Sequence, residues 1–270
     1  MRRVGYGRRV AVMFASLPMY DFPEHREHSD RLWSLVAEAL EAQGVAAPDH
    51  LSRPAELPDD WLRPDLLLSQ TCGLPFVRGL RGKVELVGAA DHGLPDCAPG
   101  GYRSRIVVRQ DDPARTLDDL RGRVVALNSD DSQSGAGALR AMVAPLADGR
   151  PFFSRAIRTG AHLESVRAVA EGRADVAAID AVTFAMLLRH RPEARRLRVL
   201  ASTPETPGLP FITRRGGPAA ALSRALAQAI DALGPSGREA LVLRGLVARR
   251  EADFDGIAAA DRQAGPLATD

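Results

Sequence analysis

The residues whose types and spacing are best suited to chemistry lie within Val124–Val143, VVALNSDDSQSGAGALRAMV. A short apolar run, Val124 to Leu127, breaks into seven small polar residues, reaches Gly135, and then takes on a helical pattern. A strand feeding a Ser-rich turn that opens a helix gathers backbone N–H groups and hydroxyls at one spot. First-turn N–H groups lack intrahelical partners, and the helix dipole makes that end partly positive. Such an end can seat a phosphate, phosphonate, sulfate or carboxylate. The plainer alternative is that Ser132 or Ser134 simply caps the helix. The glycines match neither GxxxxGK[ST] nor GxGxxG, so a nucleotide loop is not indicated.

The elements that must position this turn alternate between strand and helix patterns, which predicts an α/β fold with a mainly parallel sheet. The expected strands are Arg9–Ala15, Asp65–Ser69, Val84–Gly88, Ser104–Arg109, Val124–Leu127, Phe152–Arg158, Asp175–Asp180, Leu197–Ser202 and Phe211–Arg214. The first expected helix is capped by Ser29 or Asp30, carries Leu32, Trp33, Leu35, Val36, Ala39 and Leu40 at helical spacing, and stops at Gly44. Further helices are expected over Gly135–Leu146, His162–Glu171, Val182–Arg189, Ala219–Leu233 and around Arg238–Arg249, with a frayed tail. Ser104–Arg109 and Leu197–Ser202 bracket a self-contained unit of about 90 residues, a normal domain size. The division is therefore a discontinuous lobe I (1–104 plus 203–270) and an inserted lobe II (105–202). Two crossings beside a cleft suit hinge closure on a ligand.

Composition narrows the function classes. The 270 residues include 36 basic and 34 acidic ones, and the basic residues are nearly all arginine. This balance leaves no footprint for nucleic acid or an anionic membrane. No apolar run approaches the roughly 20 residues needed to span a bilayer. The basic start has only a short apolar stretch, Val10–Leu17, shorter than a secretory signal needs. The expected location is the periplasm if a signal precedes the given start, and the cytoplasm otherwise. Cys72 and Cys97 lack metal spacing and are too few for a disulfide framework; one disulfide between them is open in an oxidising compartment, and without a signal two free thiols are expected.

Five segments together resemble the phosphate/phosphite/phosphonate substrate-binding proteins of ABC transporters: ASLPMYD (15–21), PDLLLSQTCGLP (64–75), GGYRSRIVVR (100–109), DLRGRVVALNSDDSQSG (119–135) and GAHLESVRAVAEGRADVAAID (160–180). The resemblance implies a two-lobed type 2 periplasmic-binding fold with the ligand in the cleft, an ABC permease as partner, no cofactor and a monomer. It implies that the anion sits on Ser132, Gln133, Ser134 and Gly135, with Ser132 and Ser134 donating through hydroxyls and Gln133 and Gly135 through backbone N–H. Gln133 departs from the pattern, because many phosphonate binders carry a hydroxyl residue there.

The resemblance also directs attention to Tyr20, whose phenol could donate across the cleft, and to His162, which at a helix start would be a neutral donor. Asp180 ends a strand, where open α/β sheets face their ligand crevice; it could meet an ammonium, a hydroxyl or a protonated phosphonate oxygen, or cap the next helix. Gln70 and Thr71 follow a strand at the matching place on the other lobe and form a second wall with Cys72 and Gly73. Asp21 is expected to cap the following turn. Arg103, at the first crossing, could fork an oxyanion or hold the hinge.

The expected function is therefore capture of a small phosphate- or phosphonate-like oxyanion for an ABC transporter. The alternative is a cytoplasmic enzyme or sensor of the same fold acting on a small anionic metabolite. An enzyme needs a nucleophile with an oriented base, and only Cys72 with His162 suggests itself; the polar set is rich in donors and lacks a paired acid and base. A regulator with an N-terminal DNA-binding unit is excluded, because the first strand begins near residue 9.

Overall fold

The computed structural model describes residues 13–53 and 58–269. Residues 9–12 of the first expected strand and 54–57 of the Pro-rich connector lie outside the described residues. In chain order the elements are β1 (Phe14–Ala15), α1 (Arg26–Glu41), β2 (Leu66–Gln70), the short α2 (Gly73–Pro75), β3 (Val84–Asp91), β4 (Gly101–Tyr102), β5 (Ser104–Arg109) and β6 (Val124–Leu127). Then come α3 (Ala138–Val143), β7 (Arg155–Arg158), α4 (His162–Ala170), β8 (Val176–Asp180), α5 (Ala181–His190), β9 (Leu197–Ser202), β10 (Thr206–Pro207) and β11 (Pro210–Arg214). The chain ends with α6 (Ala219–Ala232), α7 (Gly234–Ala240), β12 (Gly245–Val247) and α8 (Asp255–Gln263).

Two five-stranded mixed sheets organise the chain. The first runs β1-β2-β11-β3-β12, and the second β7-β6-β8-β5-β9. Helices α1 and α6 cover one face of the first sheet through Trp33, Val36, Leu40, Leu222, Leu226 and Ile230. Its other face packs Leu74, Phe76, Phe254 and Ile257. In the second sheet β5 alternates as a two-sided strand must: Ile106 and Val108 join one core, and Val107 the other. Because β6 runs parallel to both β7 and β8, its C-terminal end opens at the same edge as theirs. A two-stranded antiparallel ribbon, β4 with β10, carries the chain between the sheets.

Several expectations change. Helix α1 begins a turn early, because Pro23 opens a tight turn over Pro23–His25 that feeds it directly. Ser29 and Asp30 are thus interior residues rather than caps, while Gly44, at φ +74°, does stop the helix. The stretch Arg238–Arg249 is not one helix: α7 ends at Ala240, Val242 takes φ +49°, and β12 then pairs with β3. Phe152 and Phe153 are core residues ahead of β7 rather than strand.

The tail is not frayed. Phe153 N–H donates to the Leu267 carbonyl at 3.0 Å, Thr269 N–H donates to the Phe153 carbonyl at 3.1 Å, and Leu267 packs in the second sheet's core. Leu267→Ala should therefore lower the unfolding free energy by about 2–5 kcal/mol, the usual cost of emptying a leucine site. A urea-unfolding midpoint equal to that of the parent chain would show the tail to be idle.

Candidate functional site

The Ser-rich turn is built by its own first residue. Ser132 takes an extended N-cap conformation (φ −71°, ψ 126°), and its Oγ accepts the Gly135 N–H at 3.0 Å. Its carbonyl accepts from Ala136 and Gly137, producing a wide turn over Gln133–Gly137 before α3. Gly135 gives room for a close approach, since a Cβ there would displace the Asn128 side chain, whose Oδ1 lies against it. Ser134 Oγ lies 2.8 Å from His162 Nε2, at the first residue of α4. Burial pulls the His162 pKa down to about 4, so the ring is neutral. Its Nδ1 is enclosed and without a partner.

Asp180 closes the site from below. It ends β8 and is 2 % exposed; one carboxylate oxygen caps α5 by accepting the Thr183 N–H at 2.9 Å. The other accepts the Tyr20 hydroxyl at 3.1 Å, from the first sheet's side. Burial pushes the Asp180 carboxyl up to about 6, outweighing these hydrogen bonds. Burial, with the nearby Asp180, drives the Tyr20 phenol far above its ordinary range, so it donates as a neutral group.

These side chains meet around a cavity of about 420 Å³. The first sheet's side supplies Met19, Tyr20, Trp61, Cys72 and Leu209; the second supplies Asn128, Ser132, Ser134, His162, Asp180 and Thr183. Among the described residues no Lys or Arg lines it, whereas Asp21, Asp131 and Asp180 do. Asp21 does not cap the next turn; it is held by Arg53 at 2.7 Å and Arg26 at 3.5 Å. Asp131 accepts the Ser129 hydroxyl at 2.6 Å. The positive potential therefore comes from backbone: the 132–135 turn and the N-termini of α4 and α5 all end at the cavity. The Ala161 cap of α4 offers no side-chain acceptor, so the first-turn N–H groups of that helix are left to the cavity.

Of the nine candidate residues, Tyr20, Ser132, Ser134, His162 and Asp180 line this cavity, and Gln70, Thr71, Gln133 and Gly135 do not. Gln70 borders a separate cavity of about 40 Å³ beside His92, and its amide reaches the Leu209 carbonyl at 3.5 Å. Thr71 is fully buried and turns its hydroxyl to the Cys72 carbonyl. The Gln133 side chain packs against the positions of Gly73 and Gly137. Its N–H donates to Cys72 Sγ at 3.2 Å, while Gly135 spends its own on Ser132.

Arg103 holds the ribbon, donating to the Asp96 and Thr203 carbonyls at 2.8 and 3.0 Å. Cys72 and Cys97 are both free. The Cys72 thiol and the His162 ring have different partners, so they form no nucleophile–base pair. Sequence reasoning missed Trp61, Leu209 and Asn128. Trp61 sits in the aperiodic connector, where no pattern marks it.

A cleft between two α/β sheets, walled by neutral donors, defines a ligand-capturing binding protein. A family model described as "ABC transporter, phosphonate, periplasmic substrate-binding protein" matches residues 69–264, and the chain belongs to that family. No curated protein sequence matches it significantly. Among solved structures, PhnD1 from Prochlorococcus marinus, in complex with methylphosphonate, is similar with a TM-score of 0.71, 15% identity, and coverage of 93% of this chain and 98% of that one. XAC2383 from Xanthomonas citri, bound to ATP, gives 0.70 at 19% identity, covering 94% and 98%. A phosphonate-transporter binding component from Pseudomonas aeruginosa gives 0.68 at 15% identity, covering 92% and 85%. The fold is the two-lobed type 2 periplasmic-binding fold, and the chain is a solute-binding protein of an ABC transporter.

The buried carboxyl gives a pH signature. A carboxyl whose folded pKa is raised contributes stability that is complete below its unfolded pKa and is lost as pH rises through about 6. At about 1.4 kcal/mol per unit, Asp180 costs the fold about 3 kcal/mol at neutral pH. Asp180→Asn should therefore be more stable than the parent at pH 8 in denaturant titrations, with the difference vanishing by pH 4. An Asn variant less stable at both pH values would refute the assignment.

Proposed function

We propose that this chain captures a small oxyanion of the phosphate or phosphonate type in the 420 Å³ cavity and delivers it to an ABC permease. It acts as a monomer, in the periplasm where a signal precedes the given start. The closing bodies are 1–104 plus 203–270 and 105–202, an assignment supported by the membership of the two sheets, with residues 267–269 returning to the second body. Tyr20, Ser132, Ser134, His162 and Asp180 contact the ligand. Gln70, Thr71, Gln133 and Gly135 support that wall from behind.

The observation that carries this reading is the donor set: phenol, hydroxyls and neutral imidazole converge with a carboxyl whose pKa is about 6. Neutral donors hold an oxyanion without a counter-charge, and an ionised Asp180 accepts the proton of a hydrogen phosphate or hydrogen phosphonate. A fully deprotonated tetrahedral anion such as sulfate meets only repulsion at that carboxylate. The same chemistry makes phosphate, phosphite, methylphosphonate and 2-aminoethylphosphonate the ligands to compare.

Calorimetric titration at pH 7.5 should show binding of at least one of these four and none of sulfate. Ser134→Ala should weaken the bound ligand tenfold or more, about 1.4 kcal/mol. Silence from all four would overturn the proposal. Undiminished affinity in Ser134→Ala would overturn the site.

A further inference from the structure

Cys72 stands at the N-cap of α2, on the first sheet's side of the cavity, and meets the Ser-rich turn at the cavity's edge. Its sulfur accepts the Gln133 N–H at 3.2 Å, and the N–H groups of Ser134 and Leu74 also act on it. The sulfur thus occupies a place where backbone donors from both sides converge, the kind of place an oxyanion seeks. Burial holds the thiol above its usual pKa, so it keeps its proton. Behind it Tyr102 is buried, with its hydroxyl against Cys72 and Thr206 and with Asp180 nearby.

We propose that Cys72 is a ligand-contacting residue whose neutral thiol accepts the Gln133 N–H and presents its S–H to the bound oxyanion, so that ligand occupancy and covalent modification of this thiol exclude one another. The proposal rests on the solute-binding reading and adds a residue from the lobe opposite the Ser-rich turn. A thiol accepts and donates more weakly than a hydroxyl. Cys72 therefore offers the ligand only a weak donor. Cys72 also makes the cleft sensitive to thiol reagents. Attack of its thiolate on methyl methanethiosulfonate forms an S–S bond to the methylthio group, methanesulfinate leaves, and the thiol proton passes to buffer. The added group occupies part of the cavity that Cys72 lines.

The test uses the full chain carrying Cys97→Ser, since Cys97 lies outside the cavity and would otherwise be labelled. Saturating methylphosphonate should slow modification of Cys72 by methyl methanethiosulfonate, followed by intact mass, at least tenfold. The modified protein should lose at least tenfold in calorimetric affinity for methylphosphonate. Cys72→Ser in the same background should bind and be indifferent to the reagent. If methylphosphonate binds yet labelling proceeds at the same rate and the modified protein binds unchanged, the role of Cys72 is overturned while the solute-binding reading stands. If none of phosphate, phosphite, methylphosphonate or 2-aminoethylphosphonate gives heat with unmodified protein, the solute-binding reading fails and this role falls with it.

Discussion

One buried carboxylate ties together the parts of this molecule that must agree. Asp180 is fixed along β8 by antiparallel pairing opposite Ser104, and it caps the helix that follows. The same group receives a phenol from 160 residues away on the other sheet. Strand end, helix start and cross-cleft contact are thus three constraints on two oxygen atoms. The helix it caps carries Val182 and Met186 into an apolar cluster with Leu94, Tyr102 and Leu209. A change in the direction of α5 would therefore disturb the cavity floor and the apolar contact between the sheets together. The cost is a carboxyl held out of water, visible in its raised pKa.

The proposed anion site holds no cation among the described residues, and this follows from the same economy. The chain is rich in arginine, yet the described arginines lie outside the cavity lining, as in the pairs Arg123 with Asp112, Arg105 with Asp96 and Arg78 with Asp261. A guanidinium in the cavity would have to be desolvated at a cost of several kcal/mol, and once dry it would hold an anion too firmly for a carrier that must release it. Helix ends and hydroxyls give a positive potential without a formal charge to bury. They are also rigidly placed, because Ser132, the 132–137 turn and the start of α4 fix one another through backbone and side-chain hydrogen bonds.

What the sequence made legible has a physical pattern. Strands β5 and β6 were readable to the residue, because short β-branched runs bounded by polar or turn-forming residues have few other ways to be buried. The start of α1 was not, because Ser29 and Asp30 have the chemistry of caps while Pro23, further upstream, sets the geometry. The Arg238–Arg249 segment has apolar residues at spacings a helix would accept, but a positive φ at Val242 and an open edge of β3 turn it into strand. In the site, the loops that reach the cleft were legible, and the directions of their side chains were not. Gln70, at the end of β2, and Gln133, in the Ser-rich turn, lie near the cleft but turn into packing, because direction depends on register and on neighbours distant in sequence.

The C-terminal segment bears on how such a cleft could open. Helix α8 keeps Phe254 and Ile257 in the core below the first sheet, while Leu267 is in the core of the second. Asp261 receives Arg78 from one side at 2.6 Å and Arg140 from the other at 3.4 Å. Partly exposed ion pairs of this kind contribute little and exchange readily, so Asp261 is a weak tie. The apolar anchors at either end are stronger, because each would have to expose buried surface to move. Any separation of the two sheets must therefore be taken up where neither anchor holds: in the β4–β10 ribbon and in residues 264–266, between the end of α8 and Leu267. The tail thus makes a third connection between the sheets beside the two strands of the ribbon, and it limits how far they can part.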